Sequence, residues 1–344
     1  TMFSNNIENS LDKIIEYLNE SGVEIEEVDD KREKFDLTFD KVTKDFFASK
    51  SWPKGHICEG QPIELRDYQV DVINNFIKEP QSLQEVATGA GKTIITAALS
   101  SICEKFGRTL VIVPNKGLVT QTEEDYINVG LDVGVYFGDR KELNRTHTIC
   151  TWQSLNVLDK KSKAGESVLT LSDFLEGVKT VIIDEVHQAK AEVLKKLLTQ
   201  HLKNAPVRWG LTGTVPKEQF EFQSILASIG PVVNQISAKE LQDKGVLSTC
   251  HVNVVQLIDT EVYTNYQEEL KYLVTNEKRI ENIGKMINKI KSGGNTLVLV
   301  DRLTAGKSLS EIVDDSVFIQ GETKLVDRKE TYDTIKEGTN KVII

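Results

Sequence analysis

The sequence predicts an α/β protein made of two parallel-sheet lobes, the second incomplete, behind a small N-terminal extension. Three observations carry this. From residue 64, short β-branched runs alternate with helical segments, as when helices cover both faces of a parallel sheet. A Gly-rich turn, "TGAGKT" (88–93), joins one such run to an amphipathic segment. A second alternating block opens near residue 252.

In chain order, residues 1–63 form the extension or a small accessory subdomain. A helix is expected from Ile7 to Asn19, followed by the acidic stretch "EIEEVDDKREK" and two aromatic-rich patches around the turn "WPKG". Residues 64–237 form the first lobe. Strands are expected at Ser82–Val86, Thr109–Val113, Thr148–Thr151, Thr180–Ile183 and Val207–Leu211, with helices at 67–78, 93–105, 117–128 and 190–203. Residues 238–251 link to the second lobe, 252–344. There the pattern predicts a strand in "HVNVVQL", a long helical stretch over 263–291, strands in "NTLVLV" and "SVFIQ", helices at 304–313 and 326–337, and a strand opening in "KVII".

Composition excludes several classes. The 344 residues are 39% hydrophobic and 27% charged, ordinary for a globular chain. No apolar run approaches the ~18–20 residues that span a bilayer. The first residues have neither the basic nor the apolar region of a signal peptide. The four cysteines are far apart and form no CxxC, which fits a reducing cytoplasm better than disulfides or a zinc site. The net charge of −10 argues mildly against nucleic-acid binding. Residues 1–64 hold 15 acids and 8 bases, so −7 of that charge lies there and −3 in the other 280 residues. A locally basic groove is compatible with that balance.

The turn reads as a phosphate cradle. The strict P-loop pattern fails, because its first glycine falls at Val86. The physics survives: Thr88, Gly89, Ala90 and Gly91 turn successive N–H groups toward one point, and the following helix adds its positive end. Lys92 can reach the β/γ-phosphates of a nucleotide, and Thr93 can offer a hydroxyl to Mg²⁺. Hydrolysis also needs an acid to hold the metal and one to orient water. "VIIDEVH" supplies both: Asp184, at a strand tip, would join Thr93 as metal ligand, and Glu185 would deprotonate the attacking water.

"ATGAGKT" followed by "DEVH" resembles the superfamily 2 helicases and translocases of the DExH type, and among them the phage recombination helicase UvsW and its relatives. Further motifs agree in order. "LRDYQ" (65–69) is similar to the adenine-reading element, which implies Arg66 and Gln69 at the base; Tyr68 reads equally as packing. "IVPNKGLVTQ" (112–121) resembles the motif whose Pro114, Asn115 and Lys116 meet nucleic acid, and "CTWQSL" (150–155) offers Thr151, Gln153 and Ser154, with Trp152 left to the core. "GLTGT" (210–214) implies Thr212, Gly213 and Thr214 as the link between the ATP site and the nucleic-acid track, with His187 coupling to the second lobe. "LVLVDRLTAGKSL" (297–309) would place Asp301 and Arg302 on nucleic acid, and "IQGET" with Arg328 resembles the next element.

The resemblance implies two RecA-like lobes, ATP and Mg²⁺ as cofactors, and an ATP-driven motor acting on DNA more than RNA, at branched or hybrid structures in recombination and repair. The motor subunit of a restriction enzyme, an RNA helicase and a non-motor ATP-binding scaffold are the alternatives. In the family, arginine fingers follow the point where this sequence stops, so the expectation is of ATP binding with slow turnover by this polypeptide alone.

Overall fold

The computed structural model describes residues 10–29, 35–188, 191–214, 219–258, 260–321, 323, 331, 335 and 338–344. Arg328 and most of the helix expected at 326–337 lie outside them. The chain divides into two compact units, Thr1–His251 and Val252–Ile344.

The first unit opens with helix α1 (Ser10–Glu20). Helix α2 (Asp67–Lys78) leads into strand β1 (Gln81–Val86) and helix α3 (Lys92–Cys103). Then come β2 (Arg108–Val113), α4 (Lys116–Asn128), β3 (Val133–Phe137), β4 (Arg140–Lys141) and β5 (His147–Thr151). Helices α5 (Trp152–Lys163) and α6 (Leu171–Phe174) precede β6 (Val178–Ile183) and α7 (Ala191–Lys196), which runs on into a π-turn at Leu197–His201. The unit closes with β7 (Val207–Thr212), α8 (Gln219–Ile229), β8 (Val232–Ile236) and α9 (Ala238–Asp243).

The strands form one sheet in the order β4-β3-β5-β2-β6-β7-β1-β8. Every pairing is parallel except the short β3–β4 hairpin. Central strands such as "RTLVIV" and "VKTVII" are buried almost throughout, as a sheet covered on both faces requires. Two hydrophobic clusters, one on each side, hold helices against it. Neighbours on β7 serve opposite faces. Trp209 packs beside Phe39 and Phe76 and donates its indole N–H to Phe76 O and Glu79 O, closing the end of α2. Arg208, fully buried, donates to the carbonyls of Leu202, Lys203, Ala205 and Ser228.

Part of the segment before α2 belongs to this core. Val42, Phe47, Ile63 and Leu65 are buried in the same cluster as α2 and α3. Asn74 on α2 clasps the Val42 backbone from both sides, accepting its N–H and donating to its C=O, each at 2.9 Å. Asn74→Ala strands both groups in a buried position. A loss of about 2–3 kcal/mol is expected, read as a lowered denaturant midpoint with unchanged slope.

Among the described residues, the second unit holds α10 (Tyr266–Thr275), α11 (Glu277–Ile290), β9 (Thr296–Leu297), α12 (Leu303–Ile312), β10 (Ser316–Val317) and β11 (Val342–Ile343). Its parallel sheet runs β10-β11-β9. Two expectations are corrected here. The stretch 263–291 is two helices, because Asn276 leaves helical geometry and caps α11 by accepting the N–H of Arg279 at 2.8 Å. "HVNVVQL" forms no strand, and Val252, Val254 and Val255 are exposed. Among the described residues, no helix is long and apolar enough to cross a membrane.

Candidate functional site

The sheet order decides what meets at the carboxyl ends of the strands, where open α/β sheets bind ligands. β6, β7 and β1 are neighbours, so Asp184-Glu185, Thr212–Thr214 and the 88–93 turn converge. β5 and β2 are neighbours on the other side of β6, so Thr151–Ser154 and Pro114–Lys116 converge next to them.

The turn has the backbone a phosphate needs. Gly89 and Gly91 lie at φ +84° and +77°, and Gly91 is the N-cap of α3 with no side chain over the helix end. A Cβ on Gly91 would fall 2.7 Å from Gln69 Nε2. Beneath the turn, Tyr68 Oη and Gln69 Nε2 both donate to Ala90 O, at 2.7 and 3.0 Å. Gln69 Oε1 accepts the Arg66 N–H at 2.9 Å, so both ends of that amide are engaged while the Arg66 side chain is exposed. From the α9 side, Leu247 packs on the turn, 2.9 Å from where a Cβ on Gly89 would sit.

Glu185 is the hinge of the acidic pair. It holds φ +50°, uncommon outside glycine and kept only where the surroundings enforce it. Its N–H donates to Asp184 Oδ1 at 2.9 Å. Its Oε1 takes Lys92 Nζ at 2.5 Å, and its Oε2 takes the Gly213 N–H at 3.2 Å. The Lys92 and Glu185 side chains are only 9% and 13% exposed, so this is a largely buried ion pair. His187 Nδ1 lies 3.4 Å from Glu185 Oε2 and 2.7 Å from Thr212 Oγ1, whose hydroxyl donates to Thr214 O at 2.7 Å. Burial pushes the Asp184 carboxyl up to about 6, against the opposing pull of Lys92. A divalent cation would relieve that burial. The oxygen-only donors, Asp184 and the Thr93 hydroxyl, suit magnesium, which takes one or two protein ligands and completes its shell with phosphates and water. No cluster of three or more His, Cys, Asp or Glu exists among the described residues to hold a metal by itself.

Beside this site lies a cleft of about 530 Å³. Pro114, Asn115, Lys116, Thr151, Gln153 and Ser154 all line it. Several of these have structural work as well. Asn115 Oδ1 caps α4 by accepting the Leu118 N–H at 3.0 Å, Thr151 Oγ1 accepts the Ser154 N–H at 3.3 Å at the start of α5, and Gln153 donates to Pro114 O at 3.3 Å. The cleft is also walled by residues that no motif marked: Phe137, Gly138, Asp139 and Lys141 of the β3–β4 hairpin, and Val157 and Lys161 of α5. Asp301 and Arg302 stand in the second unit, both exposed, with Arg302 Nε 3.5 Å from Asp301 Oδ2.

Comparison with known proteins agrees with this arrangement. Residues 62–217 match a family described as "Type III restriction enzyme, res subunit". A putative DNA 3'-5' helicase Rad25 of Haloarcula marismortui is 26% identical over 80% of this chain and 43% of its own length. The ATP-dependent DNA helicase uvsW of Enterobacteria phage T4 is 21% identical over 82% of this chain and 58% of its own length. These relatives are helicases, the class that the ordered motifs also resemble. The chain spans about half the length of the relatives it matches. The fold is similar to that of a Saccharomyces cerevisiae Dbp5 variant bound to RNA and ADP BeF3, at TM-score 0.50 and 13% identity, covering 82% of this chain and 70% of that one. The residues matched to the family include the 88–93 turn, Asp184-Glu185 and Thr212–Thr214.

Sequence reasoning missed two contributors and left a third, Tyr68, evenly divided between packing and function; its hydroxyl holds the turn. Leu247 on the turn carries no motif signal. The hairpin was foreshadowed only by "Gly138-Asp139" between two short runs, a two-residue turn with Gly138 at φ +51°.

Proposed function

We propose that this chain is the motor portion of an ATP-hydrolysing DNA helicase or translocase of the cytoplasm, acting at branched or hybrid structures in recombination and repair. The observation that carries the reading is the Lys92–Glu185 pair, held at the junction of β1, β6 and β7 beside a cleft lined by the 114–116 and 151–154 segments. DNA is preferred to RNA because the relatives reported above are named as DNA helicases.

ATP is the substrate. Its phosphates would sit on the N–H groups of residues 89–93, with Lys92 beside them, and its base near Arg66 and Gln69. Thr93 and Asp184 would hold magnesium, which when bound neutralises charge on the phosphate oxygens. Lys92 must leave Glu185 Oε1 to reach a phosphate. That frees one carboxylate oxygen while Gly213 N–H still holds the other, so Glu185 becomes an oriented base for water. His187 and Thr212–Thr214 would relay the state of that carboxylate. Pro114, Asn115, Lys116, Thr151, Gln153 and Ser154, with Asp301 and Arg302 from the second unit, would contact the nucleic-acid backbone without reading its sequence.

The test is ATP hydrolysis by the full-length protein, with and without single-stranded, duplex and forked DNA and RNA. DNA should stimulate turnover, and Glu185→Gln should lower the stimulated rate by about 10²-fold or more. Tight ATP binding with no stimulation by any polymer would replace the motor with a scaffold.

A further inference from the structure

The geometry points to the β3–β4 hairpin and the outer face of α5 as a second phosphate-binding wall of the cleft, in which Lys141 and Lys161 grip the backbone of a nucleic acid beside the 114–116 segment. This rests on the motor reading above and extends its track to residues outside every motif.

The charge of the cleft differs from that of the chain. Among its lining residues stand Lys116, Lys141 and Lys161 against one carboxylate, Asp139, in a protein of net charge −10. All three lysines are exposed, and none is in an ion pair among the described residues. Elsewhere on this surface lysines do find carboxylates, as Lys163 and Lys196 do on Asp159. The cleft thus collects cations that lack an internal partner, which suits a polyanion.

The wall is also held in place. Arg140, between the hairpin turn and Lys141, forks onto Glu123 of α4 with both contacts at 2.7 Å and onto Glu142 at 2.6 Å. A bidentate clamp of this kind fixes orientation as well as distance. Lys141 pairs with Tyr136 across the hairpin, and Tyr136 is buried against Phe174. At the turn, Lys116 Nζ lies 3.9 Å from where a Cβ on Gly138 would be. The hairpin therefore brings its own lysine and that of the 114–116 segment to one opening. Arg140 consumes the nearby carboxylates Glu123 and Glu142, leaving Lys141 unneutralised.

The experiment is equilibrium binding of a fluorescent oligo(dT) over a series of salt concentrations, for the wild-type chain and for the double variant Lys141→Ala, Lys161→Ala. Two lost phosphate contacts should reduce the slope of log K against log salt by about 1.4. Low-salt affinity should fall by about tenfold or more. The thermal midpoint should stay within about 2 °C, since both side chains are exposed. If wild type binds and the double variant binds with the same affinity and slope, the lysines are merely solvated: the second wall is overturned and the motor reading stands. If wild type binds no polymer, the motor reading fails and takes the wall with it.

Discussion

Lys92→Ala is expected to remove ATP hydrolysis and to loosen the first unit at the same time. The catalytic loss should be about 10²–10³-fold or greater, as when a preorganised donor to a developing phosphate charge is deleted. The loss of stability has a separate cause. With Lys92 gone, Glu185 remains largely buried without its cation, and breaking a buried pair from one side costs about 3–5 kcal/mol. Gly213 N–H still serves Glu185 Oε2, which argues for the lower end. The double variant Lys92→Ala, Glu185→Ala separates the two effects: it should stay inactive yet melt higher than Lys92→Ala. Strict additivity of the single changes in calorimetry would show that the pair does not couple.

Arg208→Leu should cost stability on a comparable scale, far from any ligand. The guanidinium donates to four carbonyls, at 2.9–3.3 Å, where the chain after the π-turn and the end of α8 meet β7. Burial draws its pKa down to about 10, which leaves it charged at neutral pH. Leucine fills part of the volume and satisfies none of the carbonyls, so a loss of about 3 kcal/mol or more is expected. For a unit of this size that is roughly 10 °C in thermal midpoint. Arg208→Lys should recover only part, because a point ammonium cannot reach four acceptors spread over a planar fork. A variant melting within 2 °C of wild type would mean that water takes over those carbonyls once the guanidinium is gone.

The first lobe was legible where burial was complete. β2 and β6 read as strands because both faces are covered and every position of Thr109–Val113 and Thr180–Ile183 is apolar or β-branched. β3, "VGVYF", was hidden by its glycine, and β8, "VVNQI", by its half-exposed, polar middle. The acidic pair and the turn were legible because their chemistry needs particular residues at strand ends. The hairpin wall was not, because lysines beside a cleft look like any solvated lysines until the sheet order sets them there. In the second unit a period-2 pattern misled: "HVNVVQL" has the alternation of a strand, but alternation names a face and supplies no partner.

One proton at Thr212 has a directional consequence. A hydroxyl has a single hydrogen, and Thr212 gives its own to Thr214 O. The contact with His187 must then run the other way, from Nδ1–H to the threonine oxygen. A neutral His187 is therefore fixed as one tautomer, with a lone pair on Nε2. Whatever approaches that nitrogen must bring a hydrogen, so an amide or hydroxyl is welcomed and a carbonyl turned away. Thr212→Val would leave the carboxylate of Glu185, 3.4 Å away, as the acceptor near Nδ1, and ¹⁵N chemical shifts of the imidazole would register the weaker hold on that tautomer directly.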